Sequence, residues 1–378
     1  MPRSVKAPFP FVPAPDLEFF SDAAATWERL LADMATAKRR IWLENYIFED
    51  GAAANAILDV LLPALKRGVQ VRFLVDAIGS HRLSHGLIDR LRDHGAEFRF
   101  YNRMRLFPIL RHGPGKFLTR THRRIVVVDN HRAWTGGLAF SDRWWPHSKA
   151  QPIRETIRDT MLRMSGELVG QMAMSFDALW KRRLTVARGK YPPALENEAR
   201  VILQQPALAL HFRRDLYQMM ARAKSRVWLA TPYFIPSRKF RRTLRHARAR
   251  GCQVRLLLPG ARKHDHPGVR FAARRYYTRL LMRGVEIYEY QPGFLHRKMV
   301  LIDDTWTALG SANLDRLSFF LNHELMVASN HAALNTDVAA CFVDDIEQSK
   351  RITLEEWRTR SVWNRLLESF FGLFDRIF

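Results

Sequence analysis

Apolar positions along the chain fall into short continuous runs separated by stretches of helical periodicity, and the order of these patterns repeats. Arg40-Ile41-Trp42-Leu43 is answered by Arg226-Val227-Trp228-Leu229, Gly68-Val69-Gln70-Val71 by Gly251-Cys252-Gln253-Val254, and Gly95-Ala96-Glu97-Phe98 by Gly284-Val285-Glu286-Ile287. Strand, helix, strand, helix, strand with short connections predicts α/β domains on mostly parallel sheets with helices on both faces. Two four-residue apolar runs, Ile125 to Val128 and Met299 to Ile302, read as buried strands. The chain divides into a Pro-rich segment 1–16, a first domain 17–185, a linker 186–198, a second domain 199–350 and an amphipathic tail 351–378.

In the tail, Trp363, Leu366, Leu367, Phe370, Phe371, Phe374, Ile377 and Phe378 fall on one face of a helix. Such a face either docks on the protein's own core or lies in a membrane interface, and four phenylalanines near the end of the chain suit the second as well as the first. The halves also differ by an insertion. From Gly95 to His122 is 27 positions, against 12 from Gly284 to His296. The longer loop interleaves Arg103, Arg105, Arg111, Lys116 and Arg120 with Leu106, Phe107, Ile109, Leu110 and Phe117. That mixture suits the headgroup region of an anionic bilayer, the alternative being a loop folded onto its own domain. Phe107, Arg111, Trp363, Phe370, Phe371 and Phe374 are the expected membrane contacts.

With 378 residues, 47% of them apolar, the chain can form two domains each with its own core. A formal charge of +24 calls for an anionic partner, either nucleic acid or an acidic lipid surface. Cys252 and Cys341 provide neither metal-ligand spacing nor a disulfide framework, which fits a reduced, cytosol-facing location. Ala52 to Leu65, the most apolar stretch, is interrupted by Asn55, Asp59 and Pro63, and Met1 to Pro15 lacks the apolar centre of a secretory signal. A chain that does not span a membrane is expected.

The chemistry lies in two related motifs 174 positions apart. His296-Arg297-Lys298 is followed by four residues, Asp303, six residues and Gly310-Ser311-Ala312-Asn313; His122-Arg123-Arg124 is followed by four residues, Asp129, six residues and Gly136-Gly137. Each places a His and a cation at the N-terminal end of a buried strand. Breaking a phosphodiester by covalent catalysis takes one imidazole to attack phosphorus and another to protonate the leaving oxygen, so one motif supplies half a site. Lys298 and Arg124 add charge where the phosphoryl oxygens gain it, and the turn at Ser311 and Asn313 can aim a hydroxyl, an amide and backbone N–H groups at the same oxygens. No metal or other cofactor is expected, since two histidines and two fixed cations can do the work of a Lewis acid.

These motifs resemble the paired His-x-Lys-(four residues)-Asp motifs of the phospholipase D superfamily, and within it the bacterial cardiolipin synthases of the short type without N-terminal transmembrane helices. Leu43 to Phe48 with Asp50-Gly51, Thr231 to Pro236, Lys263 to Pro267, Gly284 to Tyr290, and Gly310 to Asp315 with Ser318-Phe319 and Leu321-Asn322 support the resemblance over most of the chain. It implies two pseudo-repeated phospholipase D-like α/β domains sharing an active site at their interface. His122, Arg124, Asp129, His296, Lys298 and Asp303 are the implied catalytic set, with His122 the attacking imidazole. Asp129 and Asp303 also end their strands, where a turn-forming role is at least as natural. The first motif departs twice, with Arg124 where the family has Lys and Ala139 where it has Asn. Arginine keeps the charge but presents a planar fork instead of a compact ammonium.

An imidazole that attacks needs a partner on its other nitrogen to fix its tautomer. Glu324 and Asp159 occupy the positions that the family uses for this, and Glu44, closing a strand of the first half, is placed to enter the pocket. Three functions follow. The first is a phosphatidyltransferase acting on anionic phospholipids at the cytoplasmic face of the membrane as a peripheral protein, making cardiolipin. The second is a hydrolase of lipid or nucleic acid with the same chemistry; nucleic acid is not the expected partner, because the apolar loop and tail would be wasted on it. The third is a membrane-binding protein with a decayed first half-site.

Overall fold

The computed structural model describes residues 9–103, 119–146, 157–183, 196–206, 209–260 and 265–374. Both short apolar runs form strands, Ile125–Val128 and Met299–Ile302, with every residue buried. The recurring glycines have a conformational reason. Gly68 and Gly251 follow the helices Ala52–Lys66 and Arg238–Ala249 with φ of 82° and 92°, and their N–H groups donate to Leu65 and Arg248 carbonyls at 2.9 and 3.0 Å. A left-handed residue there ends each helix and turns the chain into the next strand, which favours glycine.

The first half builds a seven-stranded sheet ordered Leu17–Phe20, Met161–Met164, Arg132–Gly136, Ile125–Val128, Arg40–Asn45, Gln70–Asp76, Glu97–Tyr101. The second repeats the last five positions of that order with Trp306–Gly310, Met299–Ile302, Arg226–Ala230, Gln253–Pro259 and Glu286–Tyr290. Parallel pairing is confined in each half to the last three of these strands, so the expectation of mostly parallel sheets is corrected. Each motif strand turns straight back into its neighbour, and so short a connection permits only an antiparallel pair.

One outer core lies against the helices of each half, and a third core is shared. In it Trp42, Ile125 and Val127 of the first sheet meet Trp228, Met299 and Leu301 of the second, with Phe176 from Glu167–Trp180 and Phe342 from Ala332–Glu347. The described end of the Pro-rich segment joins the opposite half: Val12–Pro13 pairs with Glu198–Gln205. At the other end, the expected boundary at 350/351 falls inside Ser349–Ile352, which pairs with Glu286–Tyr290. Trp357 beyond it is buried in the second core, so the tail is anchored before its last helix, Val362–Phe371, begins.

Candidate active site

Each motif histidine is held by the half that does not contain it. The His122 N–H donates to the His323 carbonyl at 2.9 Å, and the His296 N–H to the Arg158 carbonyl at 2.8 Å. Thr121 bridges to His323, and Phe294–Leu295 pairs in parallel with Ile157–Arg158. The side chains repeat the exchange. His122 Nδ1 lies 3.0 and 3.1 Å from the two carboxylate oxygens of Glu324 and 3.1 Å from the Ser311 carbonyl, and His296 Nδ1 lies 2.6 Å from Asp159 Oδ2. His122 Nδ1 faces only acceptors, and His296 Nδ1 meets Asp159 at a shorter distance than the Lys298 Nζ 3.0 Å away, so each Nδ1 carries the proton and donates it to its carboxylate, which leaves the Nε2 lone pair outward. Tyr46 and Trp144 set their rings edge-on to His122 and His296, with centroids 4.9 and 5.2 Å apart.

The two cations converge on these lone pairs. Arg124 donates from Nη1 to the His122 carbonyl at 2.8 Å, and its Nη2 stands 3.3 Å from His122 Nε2. Lys298 Nζ donates to the His296 carbonyl at 2.6 Å and stands 2.9 Å from His296 Nε2. Arg124 Nε, a donor, and Asn313 Oδ1, an acceptor, are buried without a hydrogen-bond partner, so polar capacity of both kinds is left over beside the histidines. Burial lowers His122, and burial with the Lys298 charge lowers His296 to about 3, so both imidazoles are neutral at rest. Burial also brings Lys298 down to about 7, despite the opposing pull of Asp159. Burial alone would raise Asp159; the pull of His296 and Lys298 outweighs it and holds the carboxyl at about 2.

Asp129 and Asp303, expected among the catalytic residues, lie at the other end of their strands. Four strand residues at roughly 3.3 Å each separate either one from its histidine's end. Asp129 accepts from the N–H groups of Lys38, Arg39 and Arg40 at 2.8–3.0 Å, and Asp303 from those of Lys224, Ser225 and Arg226 at 2.8–3.1 Å. With φ of 53° and 52°, both close the turn after the strand, a conformation that Asp tolerates. Glu44 does not enter the pocket either. Fully buried, it accepts from Arg123 Nε at 2.9 Å and Thr121 Oγ1 at 2.5 Å, fixing the backbone on both sides of His122.

The serine turn is also engaged internally. Ser311 Oγ donates to Glu324 at 2.5 Å, the Ser311 N–H to the Leu325 carbonyl at 2.9 Å and the Asn313 N–H to Ser318 Oγ at 3.1 Å. Ser318 Oγ itself donates to Glu324 at 2.8 Å. The hydroxyls thus hold the carboxylate that orients His122, the two N–H groups are taken up by Leu325 and Ser318, and of these groups only the Asn313 amide remains for a substrate. In the first half Trp144 Nε1 and the Thr160 N–H serve Asp159 in the same way, each at 2.9 Å. Gly137 takes the place of Ser311 there, because a Cβ would sit 2.0 Å from Asp159 Oδ1. Trp144 escaped the sequence reading; its only signal was a pair of tryptophans just after the Gly136-Gly137 turn.

Phe107 and Arg111 lie outside the described residues. Trp363 and Phe370 are 73% and 55% exposed, whereas Phe371 turns inward and stacks on Phe271 at 5.8 Å, which removes it from the expected membrane contacts. Glu368, buried on the same inner face, pairs with Arg360 at 3.0 Å and Arg274 at 3.5 Å. The Phe374 side chain is outside the description.

A family model described as cardiolipin synthase, PLD-like domain matches residues 30–180 and again 216–346, once over each histidine motif. The chain belongs to this family. It is 35% identical over 361 residues to cardiolipin synthase 2 of Bacillus anthracis, covering 92% of this chain and 68% of that one. To a cardiolipin synthase of Alkalihalophilus pseudofirmus it is 31% identical over 363 residues, covering 94% and 70%. Phosphatidylserine synthase of Haemophilus influenzae Rd KW20 shares the fold, with a TM-score of 0.76 at 13% identity over 97% of this chain and 95% of that one. Among the described residues, no helix is long and apolar enough to cross a membrane.

Within the phospholipase D-like family, Arg124 stands where a lysine is usual, yet its guanidinium reaches the histidine two residues back as Lys298 does. Arg124→Lys is therefore expected to keep or raise turnover, while Arg124→Ala loses most of it, by about 100-fold, having removed a charge-assisted phosphate contact. Initial rates on phosphatidylglycerol vesicles check both; a wild-type-like alanine variant would show that the first half-site no longer engages phosphate.

Proposed function

We propose that the protein is a cardiolipin synthase that moves a phosphatidyl group from one phosphatidylglycerol to another through a phosphohistidine. The observation that carries this reading is the reciprocal pairing, in which two outward-facing Nε2 atoms are each oriented by a carboxylate of the opposite half. His122 Nε2 attacks phosphorus; the P–N bond forms, the bond to the glycerol headgroup breaks, and the glycerol oxygen takes its proton from His296 Nε2, which is neutral at rest and gains that proton from solvent when the anionic phosphodiester binds beside it. His296 then removes the proton from the hydroxyl of a second phosphatidylglycerol, whose oxygen attacks phosphorus and frees His122. Arg124 and Lys298 turn from the imidazoles to the phosphoryl oxygens as charge develops there. The assignment of attack to His122 rests on the family resemblance. Incubating the protein with labelled phosphatidylglycerol vesicles tests the reaction: cardiolipin with free glycerol supports it, and phosphatidic acid would make the protein a hydrolase. Mapping trapped phosphohistidine by mass spectrometry tests the assignment.

Such a substrate places the enzyme at a bilayer surface, and a peripheral position on the cytoplasmic face suits the two buried free thiols. Val362, Trp363, Leu366 and Phe370 along the last helix, with Leu373 in the turn after it, expose 53–73% of their surface while the helix's other face is docked. Trp363→Ser with Leu366→Ser and Phe370→Ser should weaken sedimentation with anionic vesicles by at least about tenfold and leave turnover of a soluble short-chain lipid unchanged. Unchanged vesicle binding would show that this face does not meet the membrane.

A further inference from the structure

The second half carries an arginine-lined groove that the reaction does not use. Its cavity of about 390 Å³ is bounded by Arg238, Arg241, Arg242 and Arg245 on one wall and Arg279 and Arg283 on the other, over a floor of Leu280, Met282 and Val285. Its upper wall is one stripe of the helix Arg238–Ala249, since positions i, i+3, i+4 and i+7 share a face. Among the described residues no carboxylate pairs with any of the six: Arg241 lies over the Tyr276 ring and donates to the Pro236 carbonyl, and Arg242 meets His246. All but Arg241 are exposed. Like charges at this spacing oppose the helix that bears them, so an anion in the groove would relieve the fold as well as bind to it.

The groove is separate from the histidine pair. Met299, Ala230, Leu257 and Tyr288 lie level across the sheet. Val285 is three residues to one side of that line and His296 three to the other, about 20 Å apart along the strands.

We propose that this groove seats the headgroup phosphate of an anionic phospholipid at the membrane surface, as an anchoring site distinct from the catalytic one. A guanidinium fork matches phosphate oxygens two at a time, and a cavity of this size accepts one small headgroup. The floor favours lipid over nucleic acid: Met282, 61% exposed, and the aliphatic Leu280 and Val285 suit a glycerol backbone, and no aromatic ring lines the groove for a base to stack on. The groove also adjoins the exposed apolar helix. Arg275 donates to the Gly372 carbonyl at the end of that helix, and the next residue, Tyr276, lies under Arg241. Phosphate-binding arginines and membrane-facing apolar side chains thus flank one short segment.

The proposal rests on the membrane-surface reading above, and its test separates the two. Wild type and the R242E/R245E/R279E/R283E variant are sedimented with vesicles of phosphatidylglycerol and phosphatidylcholine and with phosphatidylcholine alone, across a salt series. Turnover of soluble short-chain phosphatidylglycerol reports folding. The variant should lose at least about tenfold in affinity for the anionic vesicles and show a flatter salt dependence, with soluble turnover unchanged. Should charge reversal unfold the chain, R279Q/R283Q, which only removes exposed charge, carries the same expectation at smaller size. Wild type that ignores anionic vesicles would overturn the membrane reading itself. Variants that bind them as wild type does, or that lose only binding to a DNA oligonucleotide, would overturn the groove as a lipid site.

Discussion

Replacing either His122 or His296 by alanine should abolish cardiolipin formation, by at least about 10³-fold, while leaving the melting temperature close to wild type. Each imidazole carries a separate bond-making or proton step that the other cannot cover. The fold should survive because the backbone bonds to the His323 and Arg158 carbonyls do not depend on the side chain. Nor is a carboxylate orphaned: Glu324 keeps Ser311 and Ser318 as donors, and Asp159 keeps Trp144 and the Thr160 N–H. Product analysis on labelled phosphatidylglycerol, with thermal unfolding of the same samples, checks both halves. Substantial turnover by either variant would sink the two-histidine mechanism, and recovery on mixing the two would show that a site is completed between chains.

The histidines and cations were legible because their arrangement is local: a His and a cation two residues apart before four apolar residues must emerge together at one strand end. The orienting carboxylates were placed only by family position, since Glu324 and Asp159 lie 202 and 137 residues from the histidines they hold and meet them through the packing of the halves. Asp129 and Asp303 show the opposite limit. A fixed spacing put them in the motif, but the strand length carries them to the far end, where they close turns. Strand direction was misread because an all-apolar run such as Ile125–Val128 has the same pattern whichever way its neighbour points. In the last helix, periodicity marked an apolar stripe without saying which edge docks. The partners decide that: Phe271 and Arg274 draw in Phe371 and Glu368, and Trp363 and Phe370 are left outward.

Asp159→Asn and Glu324→Gln should each lower turnover by about 10³- to 10⁴-fold, the scale seen when an amide replaces a carboxylate that fixes a catalytic imidazole's tautomer. Asp159 accepts from His296 Nδ1 and Trp144 Nε1 on one oxygen, and an amide NH₂ turned toward either would clash with a donor. Glu324 accepts from His122, Ser311 and Ser318, and a glutamine offers one acceptor oxygen where three donors converge. A pH profile separates this role from a merely structural one. Burial is the main cause that brings Lys298 down to about 7, and Asp159 is the largest influence opposing it. Lysine is cationic below its pKa, so kcat/KM for the wild type should fall as pH rises through about 7. Without Asp159 the Lys298 pKa drops further, and the alkaline limb of Asp159→Asn should move to lower pH; Glu324→Gln should move it less, because Glu324 opposes burial more weakly than Asp159 does. An Asp159 that served only to hold the halves together would depress activity equally at every pH and leave the limb where the wild type has it.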